Sequence, residues 1–151
     1  MEPKAPAEAG EFPGYTVPEY AGLLGLGETQ AALPIEEAIA RGLPREALQR
    51  VARAIFPDPA AATRLVHAVV PKSSLSRRGT LTPAQGEQTE RLARLFAYAQ
   101  RVLGDAEDAR LFMHNPHPEL QGRRPIDAAL TELGGRAVER ILDALAYGLP
   151  V

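Results

Sequence analysis

Residues that start and stop helices recur at short intervals from Thr82 onward, and this punctuation constrains the fold more than any other feature of the sequence. Thr82, Pro83 and Gln85 have the spacing of a capping box, in which the first residue and the residue three positions later each bond the other's backbone N–H. Gly104 is typical of a helix C-terminus, and Asp105 is typical of the next N-cap. The pattern predicts one long helix that begins near Thr82, followed by shorter helices.

The rest of the chain also favours helices. Hydrophobic residues make up 45% of the sequence but aromatic residues only 5%, and alanine and leucine lose little free energy on entering a helix. No segment alternates convincingly enough to predict a strand, so the fold class is all-α. We expect a disordered tail over 1–17, a helix-turn-helix-like region for DNA binding or dimerisation over 18–81, and a helical domain over 82–151, the long helix joining the two folded parts.

Helical spacing and caps divide the first region further. A first helix is expected from Pro34 to Arg41 and a second from Pro44 to Ile55. Asp58 is suited to cap a third helix with Pro59 in its first turn. On the long helix, the apolar residues share one face, and five charged residues are expected mostly off that face: Glu87, Glu90, Arg91, Arg94 and Arg101.

Charge is unevenly distributed along the chain. The formal net charge is −2, but residues 1–40 carry −6, residues 41–101 carry +7 and residues 102–151 carry −3. A basic middle segment between acidic ends is the asymmetry expected where one part of a chain meets phosphate. Arginine-rich helix faces that are simply solvated explain the same numbers equally well.

Residues 59–78 have the pattern of two short helices and a tight turn, with helices over Pro59–His67 and Pro71–Arg78 and the turn over Ala68–Val70. The second helix has one apolar anchor and is otherwise short, polar and basic, which suits insertion into a major groove. The residues predicted to contact DNA are Lys72, Ser73, Ser74, Ser76, Arg77 and Arg78. The alternative is a helix pair that serves only as a dimerisation scaffold.

The last third of the chain carries an ordered series of short motifs. They are Gly104-Asp105, Asn115-Pro116, Leu120-Gln121-Gly122, Pro125-Ile126, Gly134 to Val138 and Gly148. In this order and spacing, over roughly Thr82–Val151, the chain resembles the toxin-binding domain of the Xre/MbcA/ParS antitoxin family. The segment Pro71–Arg78 is similar to the recognition helix of Xre-type antitoxins. Arg124 and Gly135 depart from the family pattern, and we expect both to weaken the starts of local helices.

The resemblance implies a type II antitoxin that neutralises a cognate toxin of the RES type, which binds NAD and either degrades it or transfers ADP-ribose. It also implies that the C-terminal region obstructs the NAD pocket and that the protein represses its own operon by binding operator DNA, as a homodimer within a larger complex. Val138, Ile141, Leu142 and Leu145 would hold the final helix to the body. The predicted toxin contacts are Arg123, Arg124, Tyr147, Gly148, Leu149, Pro150 and Val151.

Other kinds of function find little support. His114 and His117 flank Asn115-Pro116, but two imidazoles are too few to bind a metal, and no carboxylate group clearly completes a site. No nucleophile with a base and no phosphate-binding loop is apparent, so we expect neither catalysis nor a cofactor. No apolar run is long enough to span a membrane, no secretory signal is visible and cysteine is absent, so a cytoplasmic location is expected. A stand-alone transcriptional regulator, whose C-terminal domain dimerises or senses a ligand, remains the alternative function.

Overall fold

The computed structural model describes residues 17–26, 32–74 and 79–151, and the regular elements in these ranges are all helical. The α-helices are α1 (Val17–Leu24), α2 (Ala32–Arg41), α3 (Arg45–Ile55), α4 (Pro59–Val69), α5 (Pro83–Leu103), α6 (Ala106–His114), α7 (Pro125–Ala128) and α8 (Glu132–Ala146). Short 3-10 turns occupy Lys72–Ser74 and Pro118–Leu120, and one isolated bridge joins Pro44 to Thr80. The all-α prediction is confirmed. The disordered tail predicted over 1–17 lies outside the described residues, except that Val17 begins α1.

Helix α5 is the central element, and its ends form as the sequence predicted. The side chain of Thr82 accepts a hydrogen bond from the backbone N–H of Gln85 at 3.2 Å, and the Gln85 side chain accepts one from the N–H of Thr82 at 3.0 Å. The helix ends at Gly104, whose φ of 104° is readily adopted only by glycine. Because α5 packs against α1, α2 and α3 as well as against α6 and α8, it is common to both parts of the fold.

The region predicted to be a helix-turn-helix differs from the expectation at its turn. Asp58 caps α4 by accepting a hydrogen bond from the N–H of Ala61 at 2.9 Å, as predicted. The helix then continues through Val69 instead of turning at Ala68, so the prediction of a turn over Ala68–Val70 is wrong. Leu65 and Val69 are four residues apart on one face and both are buried, so burial of this face favours the additional helical residues.

The two parts of the fold share one apolar core, which extends from α1 to α8. On the surface of that core, the Arg110 side chain of α6 donates to the carbonyl oxygen of Ala54 in α3 at 2.9 Å. The rings of Phe56 and His114 meet edge to face with centroids 4.3 Å apart. The apolar core is therefore continuous across residue 82. That residues 18–81 and 82–151 serve separate functions stays a prediction.

Candidate functional site

Helix α8 is held to the body along the face predicted from the sequence. Val138, Ile141 and Leu142 are buried, and Leu145 packs against the same core while partly exposed. The helix starts at Thr131, whose side chain accepts a hydrogen bond from the N–H of Gly134 at 3.0 Å. These contacts bury the apolar face of α8 against the core. The apolar residues that follow the helix therefore do not pack on that face.

The apolar segment Tyr147–Val151 is exposed where α8 ends. Tyr147, Leu149 and Val151 are 59%, 57% and 51% exposed, whereas the large apolar side chains of the core are almost completely buried. An exposed cluster of large apolar residues is a common mark of an interaction surface. The prediction that these residues project from the body is confirmed.

The beginning of the apolar segment is nevertheless fixed in direction. Gly148 has a φ of +65°, and its N–H donates to the carbonyl oxygen of Leu145 at 3.2 Å. The N–H of Leu149 reaches back to the carbonyl oxygen of Ala144 at 2.8 Å. This pair of bonds is a Schellman motif, which satisfies carbonyl groups at the end of a helix. These hydrogen bonds therefore set the direction in which the backbone leaves α8, as far as Leu149.

A buried tyrosine supports the last turn of α8. The Tyr98 hydroxyl donates to the Asp143 side chain at 2.6 Å, and the carbonyl oxygen of Asp143 accepts from the N–H of Tyr147 at 3.0 Å. Burial, and then the hydrogen bond to Asp143, raise the pKa of Tyr98. The sequence motifs do not include Tyr98. A tyrosine within an apolar helix face indicates a hydroxyl that requires a hydrogen-bond partner, but it does not identify that partner.

Helix α8 lies alongside α5 and runs in the same direction. Three polar contacts advance together along the two helices: Arg91 with Glu132 at 3.4 Å, Arg94 with Glu139 at 3.5 Å and Tyr98 with Asp143 at 2.6 Å. The C-terminal end of α8 is thereby placed beside the second half of α5. The long helix thus supports the turn from which the apolar segment emerges.

Arg91 lies on the buried side of α5, so the expectation that it sits off the apolar face is wrong. It is 8% exposed, and its guanidinium donates to the carbonyl oxygens of Ala129 and Leu130, each at 3.3 Å. Gly135 makes room for it, because a Cβ at that position would lie 2.5 Å from Cδ of Arg91. Gly135 was expected only to weaken the helix start, and the structure gives it a packing role.

The two arginines of the loop before α7 have different surroundings. Arg123 is exposed, and among the described residues its side chain hydrogen-bonds to one group, the carbonyl oxygen of Leu120, at 3.4 Å. Arg124 is half-buried and donates twice to Asp127, at 2.8 and 3.0 Å. Within residues 79–151, no hydrogen bond or ion pair joins this loop to the apolar segment. Arg123 is therefore the more available of the two for a partner.

The structure describes only some of the residues predicted to contact DNA. Lys72 and Ser73 are exposed in a 3-10 turn, and the carbonyl oxygen of Ser74 accepts a hydrogen bond from Arg45 at 2.5 Å. Ser76, Arg77 and Arg78 lie outside the described residues. The helix predicted over Pro71–Arg78 is thus described only at its start, as a turn that α3 ties down through Arg45.

The two histidines near Asn115 face different neighbours. His114 packs against Phe56, while Nδ1 of His117 accepts a hydrogen bond from the N–H of Glu119 at 3.2 Å. In the ranges that the structure describes, no group of three or more His, Asp or Glu side chains is placed to hold a metal ion. Within the same ranges, no helix has the length and apolar character needed to cross a membrane.

Comparison with known protein families assigns this part of the chain. Residues 98–148 match the family model described as the antitoxin Xre/MbcA/ParS C-terminal toxin-binding domain. These residues, about a third of the chain, are similar to that toxin-binding domain. The resemblance stated from the sequence motifs is confirmed, and the match supports an antitoxin role with a toxin as partner. No curated protein matches the chain.

The matched range begins at Tyr98 and ends at Gly148, so it contains both the polar support under the last turn of α8 and the glycine that closes that helix. Of the predicted contact residues, Arg123, Arg124, Tyr147 and Gly148 lie inside the matched range. Leu149, Pro150 and Val151 come directly after it. The exposed apolar segment thus begins inside the matched range and extends three residues beyond it.

Proposed function

We propose that this antitoxin neutralises a RES-type, NAD-using toxin by placing the segment Tyr147–Val151 in the toxin's NAD pocket. The exposure of this segment at the capped end of α8 is the observation that carries the proposal. The hydrogen bonds that hold the backbone as far as Leu149 reduce the conformational entropy that this part of the segment loses on binding, which favours affinity. Arg123 adds an exposed cation for acidic groups of the toxin. The antitoxin acts in the cytoplasm, needs no cofactor and has no catalytic activity of its own.

Competition with NAD tests this mechanism directly. A RES-type protein, sought among the products of the neighbouring genes, would be purified, and its consumption of NAD measured at increasing antitoxin concentrations. If the segment occupies the NAD pocket, raising NAD from well below KM to ten times KM should require about tenfold more antitoxin for half-inhibition. The antitoxin alone should consume no NAD. Inhibition that is independent of NAD concentration would contradict occupation of the pocket.

We further propose that the antitoxin represses its own operon as a homodimer that binds DNA through Lys72–Arg78. The +7 charge of residues 41–101 supports this proposal, because a basic segment is attracted to phosphate. Lys72 and Ser73 are exposed at the start of this segment. A complex of toxin, antitoxin dimer and operator DNA is then the working assembly.

Replacing Arg77 and Arg78 together with alanine should weaken binding to the promoter fragment. Each lost phosphate contact lowers the slope of log affinity against log salt by about 0.9, so the double variant should show a slope about 2 units shallower. The slope would be measured by fluorescence anisotropy at several salt concentrations. The matched control removes the same charge from α8, through Arg136→Ala and Arg140→Ala, and should keep the parent slope. An unchanged slope in Arg77→Ala/Arg78→Ala would place DNA contact elsewhere.

A further inference from the structure

A cavity of about 270 Å³ lies between α4 and the toxin-binding domain, away from the apolar segment. Phe56 and Ile126 contribute apolar walls, and four charged or titratable side chains line the same space: Arg64, His114, Arg124 and Asp127. They come from α4, from the end of α6 and from the start of α7. Such convergence from separate elements is typical of a binding site.

The charges around this cavity are unbalanced. Its one carboxylate, Asp127, is engaged by two hydrogen bonds from Arg124. Among residues 17–26, 32–74 and 79–151, Arg64 makes no ion pair and the ring nitrogens of His114 make no hydrogen bond. One cation and one imidazole therefore remain without a polar partner in the described part of the chain. A negatively charged group is the ligand that satisfies both.

The pKa of His114 responds to this excess of positive charge. Burial, and then the nearby Arg124 guanidinium, lower the pKa of His114. Phe56 contacts the imidazole edge to face, and Arg64 from α4 and Arg124 with Asp127 at α7 line the same cavity. Arg110, one turn earlier on α6, is committed to the carbonyl oxygen of Ala54. An anion that enters this cavity would offset the repulsion between Arg124 and protonated His114.

We propose that this cavity binds a small oxyanion, a phosphate or carboxylate group, between Arg64, His114 and Arg124. Phe56 and Ile126 leave room for an apolar body attached to that group. The site requires neither the toxin nor DNA, so it stands apart from the function proposed above. Occupation links α4 to the toxin-binding domain through the bound anion, and should therefore stabilise the packing between them.

The pKa of His114 provides the first test. Its ring proton would be followed by NMR between pH 5 and 8, at constant ionic strength, with added inorganic phosphate, with added hexanoate or with chloride alone, and His114→Gln would assign the signal. A bound anion favours the protonated imidazole, so the pKa should rise toward its ordinary value. A rise with phosphate, with hexanoate or with both supports the site and identifies the preferred anion. No rise with either anion beyond that in chloride overturns the proposal.

A variant that removes one positive charge provides the second test. Arg64→Gln should weaken binding of the active anion about five- to tenfold, because one charged contact is lost at a partly exposed site. Arg53→Gln removes an exposed arginine that lines a different groove and serves as the matched control. Isothermal titration calorimetry on the full chain measures both. Equal loss in the two variants, or none in Arg64→Gln, would show that the anion does not occupy this cavity.

Discussion

An antitoxin that ends at Ala146 should fold, bind operator DNA as before and fail to protect cells from the toxin. Truncation at this point removes the whole apolar segment together with the hydrogen bonds of the Schellman motif, and leaves the buried residues of α8 in place. Burying Tyr147 and Leu149 in a partner contributes about 1.5–3 kcal/mol each, so inhibition should weaken by roughly two to four orders of magnitude. Growth on co-expression with the toxin, and inhibition of NAD consumption in vitro, measure the loss.

A second variant separates the apolar side chains from the length of the chain. Tyr147→Ser with Leu149→Ser keeps every backbone hydrogen bond at the end of α8 and removes most of the apolar surface. It should behave like the truncation in the toxin assays, while its circular dichroism and DNA affinity match those of the parent. Full protection by the truncated protein would refute occupation of the NAD pocket by Tyr147–Val151 and move the inhibitory contact to the loop Gly122–Pro125 or to the helices themselves.

The boundaries of several helices could be predicted from sequence because caps are local. Thr82 and Gln85 are three residues apart, and their reciprocal hydrogen bonds need nothing from the rest of the molecule. The same holds for Asp58 at α4 and Asp105 at α6, each of which accepts from an N–H three residues later. The exposure of Tyr147 could also be anticipated, because the apolar face of α8 was complete without it.

The features that escaped prediction depend on contacts between distant residues. The burial of Arg91 requires carbonyl oxygens of Ala129 and Leu130 that lie 38 and 39 positions away in sequence. The partner of Tyr98 lies 45 positions away. The end of α4 was misplaced because burial of Val69 outweighs local turn preference. Arg124 looked available to a toxin, but in the structure its guanidinium bonds Asp127 and its side chain lines the cavity beside α4.

At Gly134, as at Gly135, the packing around the glycine determines the effect of a substitution. Glycine within a helix is ordinarily less favourable than alanine by about 1 kcal/mol, so replacing it should stabilise the fold. At Gly134, however, a Cβ would overlap the carbonyl oxygen of Ala128, which belongs to the backbone of α7 and has little freedom to move. The same residue donates its N–H to the Thr131 cap, so a shift to relieve the overlap would also disturb the start of α8.

We therefore expect Gly134→Ala to destabilise the protein by about 3 kcal/mol, toward the upper end of what overpacking costs, and to lower Tm by about 6–12 °C. The control is Gly22→Ala in α1, where a Cβ would meet nothing within 4 Å and the ordinary helix preference should raise stability by about 0.5–1 kcal/mol. Thermal and urea unfolding of the two variants thus have opposite expected signs. If Gly134→Ala also stabilised the protein, the backbones of α7 and α8 would not approach each other as closely as the structure places them.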